Sequence, residues 1–348
     1  MVKTAEVVLE YQPYFDKPPV SAAQLHEQAC ANDDTTINSW LPQWIDQVKA
    51  NHKKFGNFAD HSIGQLHNKF RNMPCIVAGS GPSLKNNIHL LKDRGPNMAL
   101  VSCLHNFHYM EDNDANVDLY VTLDAGEVVV EEVFEGGKHA PEYYWEKTKS
   151  KTLAAYIGTH PKLLEKWQGK ILFYNCAVPS EEYHAAVAEC GNFSVWVSNG
   201  GNVLGASMYI AKAYFGCNPI AYIGADFSFS YGAAKDGGFK FHSWDSKYDN
   251  KLGVYVKAVD IYGIPVKSWQ SYLNFKAWFE SIAIKVPGIW VNCSEGGCLG
   301  SYQGGNIRQI EQVDLSDFIA AYKLTDHLTE AIANPHQPPV KGQIKILF

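Results

Sequence analysis

Short runs of four or five apolar residues recur through the middle of the chain, each followed by small, amide or acidic residues. Positions 75–78, 98–102, 119–123, 152–156, 171–174, 219–223 and 289–292 have this form. They read as strands buried on both faces. Between several of them the apolar period becomes three or four. The segment from Leu84 (LKNNIHLLKD, closing before Gly95–Pro96), residues 200–214, and a stretch capped by Ser268 that runs through Trp278 and Ile282 read as helices. This alternation predicts an α/β class with a mostly parallel sheet and flanking helices.

Upstream of residue 70 the texture differs. An Asp33–Asp34–Thr35–Thr36 turn or cap precedes a helical pattern through Trp40, Leu41, Trp44, Ile45 and Val48, which predicts an N-terminal helical extension docked by its aromatic face. Downstream, 254–260 and 264–267 flank a turn at Gly263 and predict a hairpin. Residues 227–253 show weak periodicity, as in a functional lid or a disordered loop. The tail after Asn334 is Pro-rich and then apolar, and suggests an arm through which copies of the chain associate. The expected organisation is an extension over 1–70, a central domain over 71–305, and a helix with a tail over 306–348.

Composition narrows the class. The 348 residues are 46% hydrophobic and 19% charged, enough for a sizeable core. Thirty basic residues against 36 acidic ones give a net charge of −6, which argues against a nucleic-acid partner. The first residues lack an apolar run, and the charge-free stretch 191–211 holds three asparagines and four glycines. Neither a signal peptide nor a membrane span is expected, and a cytoplasmic location is. None of the eight cysteines forms a C-x-x-C pair, and no histidine pair has an HExxH spacing, so no tight zinc-type site is expected.

The candidate chemistry lies in the loops after the strands. Gly79–Ser80–Gly81–Pro82–Ser83 joins a strand to a helix, and its amides and hydroxyls suit a phosphate or carboxylate. It is neither G-x-G-x-x-G nor a P-loop. Ser198–Asn199–Gly200–Gly201–Asn202 offers a second nest of amides or an ordinary helix cap. Asp124 and Gly224–Ala225–Asp226 follow strands, where such sheets place their ligands; they would hold ribose, a metal or a proton, or cap turns. Ser294–Glu295–Gly296–Gly297 is a third glycine-rich loop. His105 and His108 flank Asn106 past a strand end, and His242 stands beside Ser243 in the long loop.

Taken in order, CIVAGSGPSL at 75–84, VSNGGNVLGASMYIA at 197–211, IAYIGADF at 220–227, His242, the V-x-x-V-D-x-x-G hairpin at 256–263 and VNCSEGGCLG at 291–300 resemble the MptE-like family. That family includes 6-hydroxymethylpterin diphosphokinases and motility accessory factors, and its core is similar to bacterial sialyltransferases that use CMP-sugars. The resemblance spans about 70–305 and implies a Rossmann-like nucleotide-binding core. It implies nucleotide contacts from Gly79, Ser80, Gly81, Pro82, Ser83, Asn106, Ser198, Gly200, Gly201 and Gly224, to which strand-end Asp124 and Asn199 of the second nest add further candidates. Ser80 stands where sialyltransferase-like members commonly carry Asn.

Three activities follow as expectations. In the first, a CMP-activated nonulosonic sugar is transferred to a small-molecule, glycan or protein acceptor, with His242 as base and Asp226 as the second catalytic residue, needing no metal or tightly bound cofactor. In the second, ATP with Mg²⁺ held by Asp124 or Asp226 diphosphorylates a pterin-like alcohol. The third is a non-catalytic nucleotide- or glycan-binding module. Ser294, Glu295, Gly296 and Gly297 are assigned to an acceptor or donor loop in the transferase readings.

Overall fold

The computed structural model describes residues 22–133, 137–229, 256–302 and 305–323. Its strands are β1 (Cys75–Ala78), β2 (Ala99–Cys103), β3 (Leu119–Thr122), β4 (Thr152–Tyr156), β5 (Lys170–Cys176), β6 (Trp196–Val197), β7 (Ile220–Ile223), β8 (Val256–Val259), β9 (Pro265–Ser268), β10 (Trp290–Asn292), β11 (Ser301–Tyr302), β12 (Gly305–Asn306) and β13 (Glu311–Gln312). Nine form one sheet in the order β13-β10-β7-β1-β2-β3-β4-β5-β6, with every pairing parallel. The expected α/β class and its mostly parallel, Rossmann-like sheet with flanking helices are therefore present. β8 and β9 form the predicted antiparallel hairpin around Gly263.

The central strands are apolar without alternation because both faces are covered: every residue of β1, β2, β3 and β7 is buried. From β1 the chain builds outward through β2 to β6. It then returns to the other side of β1 as β7 and continues to β10 and β13. The reversal makes the carboxyl ends of β1 and β7 the topological switch point, where open α/β sheets leave a crevice.

The first helix runs Ala22–Phe55, straight through the segment expected to cap it at Asp33–Thr36. It lies against the sheet's carboxyl edge and meets helix Glu181–Glu189 through a Lys49–Glu189 ion pair of 2.8 Å. The expected Ser268 cap is also absent. Helix Gln270–Lys285 takes Trp269 as its cap residue, while the Ser268 hydroxyl donates to Phe227 O at 2.6 Å. Among the described residues no helix is long and apolar enough to cross a membrane.

Candidate functional site

At the switch point the first loop is stitched to the end of β7. The Gly79 amide donates to Ile223 O and the Gly81 amide to Gly224 O, both at 2.8 Å. Ser83 donates twice to Asp226 Oδ2, from its amide at 3.1 Å and its hydroxyl at 2.8 Å. The amides of Gly79, Gly81 and Ser83, read from the sequence as a nest for an external anion, are thus engaged within the fold. An internal carboxylate takes the place expected for a ligand's. Gly81 is required sterically, since a Cβ there would stand 2.6 Å from Gly224 O and closer still to Asp226 Oδ2.

Asp226 is 3% exposed. Burial raises its pKa to about 6, against the opposing effect of the Ser83 hydrogen bonds. The loop after β10 closes over the same residue. Cys298 donates its amide to Asp226 O at 2.7 Å, and Ser294 Oγ accepts from the Ala225 amide at 3.0 Å. A Cβ on Gly296 would lie 3.6 Å from Asp226 Oδ1, and Gly297 has φ +74°. Glu295 points elsewhere: its Oε1 accepts the Leu315 amide at 3.0 Å, at the start of helix Leu315–Lys323.

On the β2 side, fully buried Asn106 donates from Nδ2 to Gly79 O at 2.9 Å and to Ala78 O at 3.3 Å. Those bonds fix the amide's orientation and leave Oδ1 as a buried acceptor without a donor. Asp124, after β3, lies 3.5 Å from His105 Nε2. His108 is a core residue instead; its Nδ1 meets Val133 O at 2.9 Å, and burial lowers its pKa. Asp124 and Asp226 follow strands three places apart in the sheet, so their backbones are separated by roughly 14 Å.

The loop after β6 leads back toward the first. Asn202 caps helix Val203–Tyr209 by accepting the Gly205 amide at 2.9 Å, and Leu204 Cδ2 would be 3.2 Å from a Cβ on Gly79. Asn199 Oδ1 accepts the Gly201 amide at 2.8 Å, while Ser198 is exposed. Trp278 covers Gly200, which has φ +57°, and a Cβ there would overlap the indole. Ser80 is buried and Pro82 half-buried beside them. His242 lies outside the described residues.

A family profile described as 6-hydroxymethylpterin diphosphokinase MptE-like matches residues 47–232. Among solved structures, the MAf glycosyltransferase from Magnetospirillum magneticum AMB-1 is similar at 17% identity and a TM-score of 0.49. The likeness covers 74% of this chain and 37% of that one. No curated protein matches the chain.

Proposed function

The chain belongs to the MptE-like family, whose profile covers more than half of it, and from that premise we propose that it is a nucleotide-dependent transferase. The donor we favour is a CMP-activated nonulosonic sugar, bound across the crevice at the ends of β1, β2 and β7. One observation carries this reading. Asn106, pinned by its own amide nitrogen to the end of β1, offers a buried Oδ1 that no protein group satisfies. A ribose hydroxyl or an exocyclic amino group would complete it.

Gly79, Ser80, Gly81, Pro82 and Ser83, with Gly224, then shape the crevice floor, while Ser198, Asn199, Gly200 and Gly201 form the wall covered by Trp278. His242 is the acceptor base in this reading. A near-neutral imidazole suits removal of a hydroxyl proton as the sugar–phosphate bond breaks.

The family description favours the alternative of ATP-dependent diphosphate transfer. Its Mg²⁺ would fall to Asp124 or Asp226, and these do not fit a shared ion. They stand three strands apart, and Asp226 is buried, bonded twice by Ser83 and raised in pKa. A buried carboxylate with one oxygen already bonded twice within the fold offers a hydrated Mg²⁺ little access. Glycosyl transfer needs no such pair.

Calorimetric titration with CMP in the absence of metal, and separately with ATP plus Mg²⁺, tests the choice. We expect CMP to bind and Asn106→Ala to weaken it about tenfold, the equivalent of about 1.4 kcal/mol. Binding of ATP alone, dependent on Mg²⁺, would move the assignment to diphosphate transfer. Silence with both would leave the non-catalytic glycan-binding reading.

A further inference from the structure

Helix Ala22–Phe55 presents Trp40, Gln43, Trp44, Gln47 and Asn51 at spacings of three and four, hence along one face. This face lies over the carboxyl ends of β3 and β4. Gln43 and Gln47 each donate from Nε2 to Ala125 O at 2.8 Å. Asn51 donates from Nδ2 to Ile157 O and Thr159 O, both at 2.8 Å. On the strand side the His160 amide donates to Asp124 O at 3.1 Å, closing the two loops together.

Carbonyl partners can only accept, so these bonds dictate which end of each amide is nitrogen. Gln47 Oε1 and Asn51 Oδ1 are left without donors, although the residues are 6% and 0% exposed. Across the seam Thr159 Oγ1 and His160 Nδ1 are likewise buried without a hydrogen bond, while Asp124 Oδ2 faces His105 Nε2 at 3.5 Å. Buried polar atoms are ordinarily satisfied. Four orphans gathered on one helix face and the adjoining loop after β4 point to a ligand or ordered water.

The chemistry of the four selects the ligand. The two amide oxygens can only accept from a donor, and the hydroxyl and the imidazole nitrogen can accept as well. A phosphate or carboxylate would bring more acceptors and would be repelled by Asp124. A group rich in hydroxyls would supply what is missing. Half-buried Trp40 borders the seam, its ring 3.5 Å from where a Gly126 Cβ would stand, and offers an aromatic face to ring C–H groups. The Asp124 side chain, 38% exposed, gives the way in.

We propose that the seam between helix Ala22–Phe55 and the β3 and β4 loops, lined by Trp40, Gln47, Asn51, Asp124, Thr159 and His160, binds a neutral sugar ring. Its use as the acceptor subsite rests on the transferase reading above; the binding does not. The seam lies two to three strands from β1, roughly 10–14 Å, close enough to serve a donor held at the switch point.

Saturation-transfer NMR with galactose and N-acetylglucosamine, and with N-acetylneuraminic acid as the anionic counterpart, tests the assignment. Thr159→Val is the principal variant because it keeps shape and removes a hydroxyl that makes no bond. The free protein should therefore fold, with its melting midpoint unchanged or raised by about 2 °C. We expect saturation of the neutral sugars to fall at least about threefold in Thr159→Val and in Trp40→Ala, with little signal from the anionic sugar. Equal saturation in wild type and Thr159→Val, or none in either, would overturn the proposal and leave water as the occupant. A stronger signal from the anionic sugar that falls in Thr159→Val, and so arises at the seam and not at the donor crevice, would also overturn it. Neutral-sugar binding without CMP binding would remove the nucleotide reading and leave the seam intact; the reverse would do the opposite.

Discussion

Gly81→Ala should destabilise the protein by about 3 kcal/mol or more, although it adds one methyl group. The added carbon would stand 2.6 Å from Gly224 O and would overlap Asp226 Oδ2. Gly224 O is backbone and cannot retreat, and Asp226 Oδ2, although a side-chain atom, is held in place by two bonds from Ser83. Relief requires the two loops at the switch point to separate. That movement would break the Gly81–Gly224 bond of 2.8 Å and draw Ser83 from the carboxylate it bonds at 2.8 and 3.1 Å. Differential scanning calorimetry should show the midpoint falling by roughly 5–10 °C, and CMP titration should show binding lost with it.

Gly95→Ala serves as the control, since a Cβ there meets only Lys323 Cγ at an ordinary 3.6 Å; it should stay within about 0.5 kcal/mol of wild type. A double variant with Asp226→Ala should recover part of the loss, because one obstacle goes and Gly224 O remains. Full tolerance of Gly81→Ala would mean that the loop is not stitched to β7 as described.

The strands were the most legible part of the chain. Residues buried on both faces leave a continuous apolar run, and β1 and β4 occupy the spans that such runs predict. Strands of two residues, such as β6 and β13, carry no such signal. Helices were less faithful. The segment from Leu84 breaks into an α-turn at Leu84–Asn87 and a 3₁₀ stretch at Ile88–Asp93. At the break, buried Asn87 turns inward to donate to Cys293 O at 2.7 Å, a partner 206 residues away.

The same distinction runs through the site. Loop positions follow from strand ends, so Gly79–Ser83, Asn106, Asp124 and Gly224–Asp226 arrive at one edge of the sheet as the pattern implies. What their polar groups bond to depends on tertiary neighbours. Ser83 reads from the sequence as a hydroxyl for a phosphate or carboxylate, yet its hydroxyl goes to Asp226, 143 residues downstream. Gln47, Asn51 and Thr159 gave no sign of joint action, because what sets them together is a set of carbonyls at the ends of β3 and β4.

Asp226→Asn should stabilise the protein at pH 7.5, by an amount that shrinks as the solution is acidified. Burial lifts the carboxyl pKa to about 6 in the folded chain, against 3.8 for an ordinary solvent-exposed aspartate in the unfolded one. The folded state therefore holds the proton more tightly. Stability contributed by this group is greatest below 3.8 and falls as pH rises toward 6, after which the full penalty of burying the charge persists. The gap corresponds to about 3 kcal/mol. An asparagine at this position keeps an oxygen to accept both Ser83 bonds and carries no charge to bury. Allowing for weaker hydrogen bonds to a neutral amide, the gain at pH 7.5 should be about 1–3 kcal/mol, declining toward zero near pH 4. Urea denaturation across that range checks it. A difference independent of pH would mean that the carboxylate titrates normally and that its burial imposes no penalty. Measured beside it, transfer activity then separates scaffold from chemistry: a protein more stable but inactive would show that the ionised carboxylate is kept at a structural cost because the reaction needs its charge.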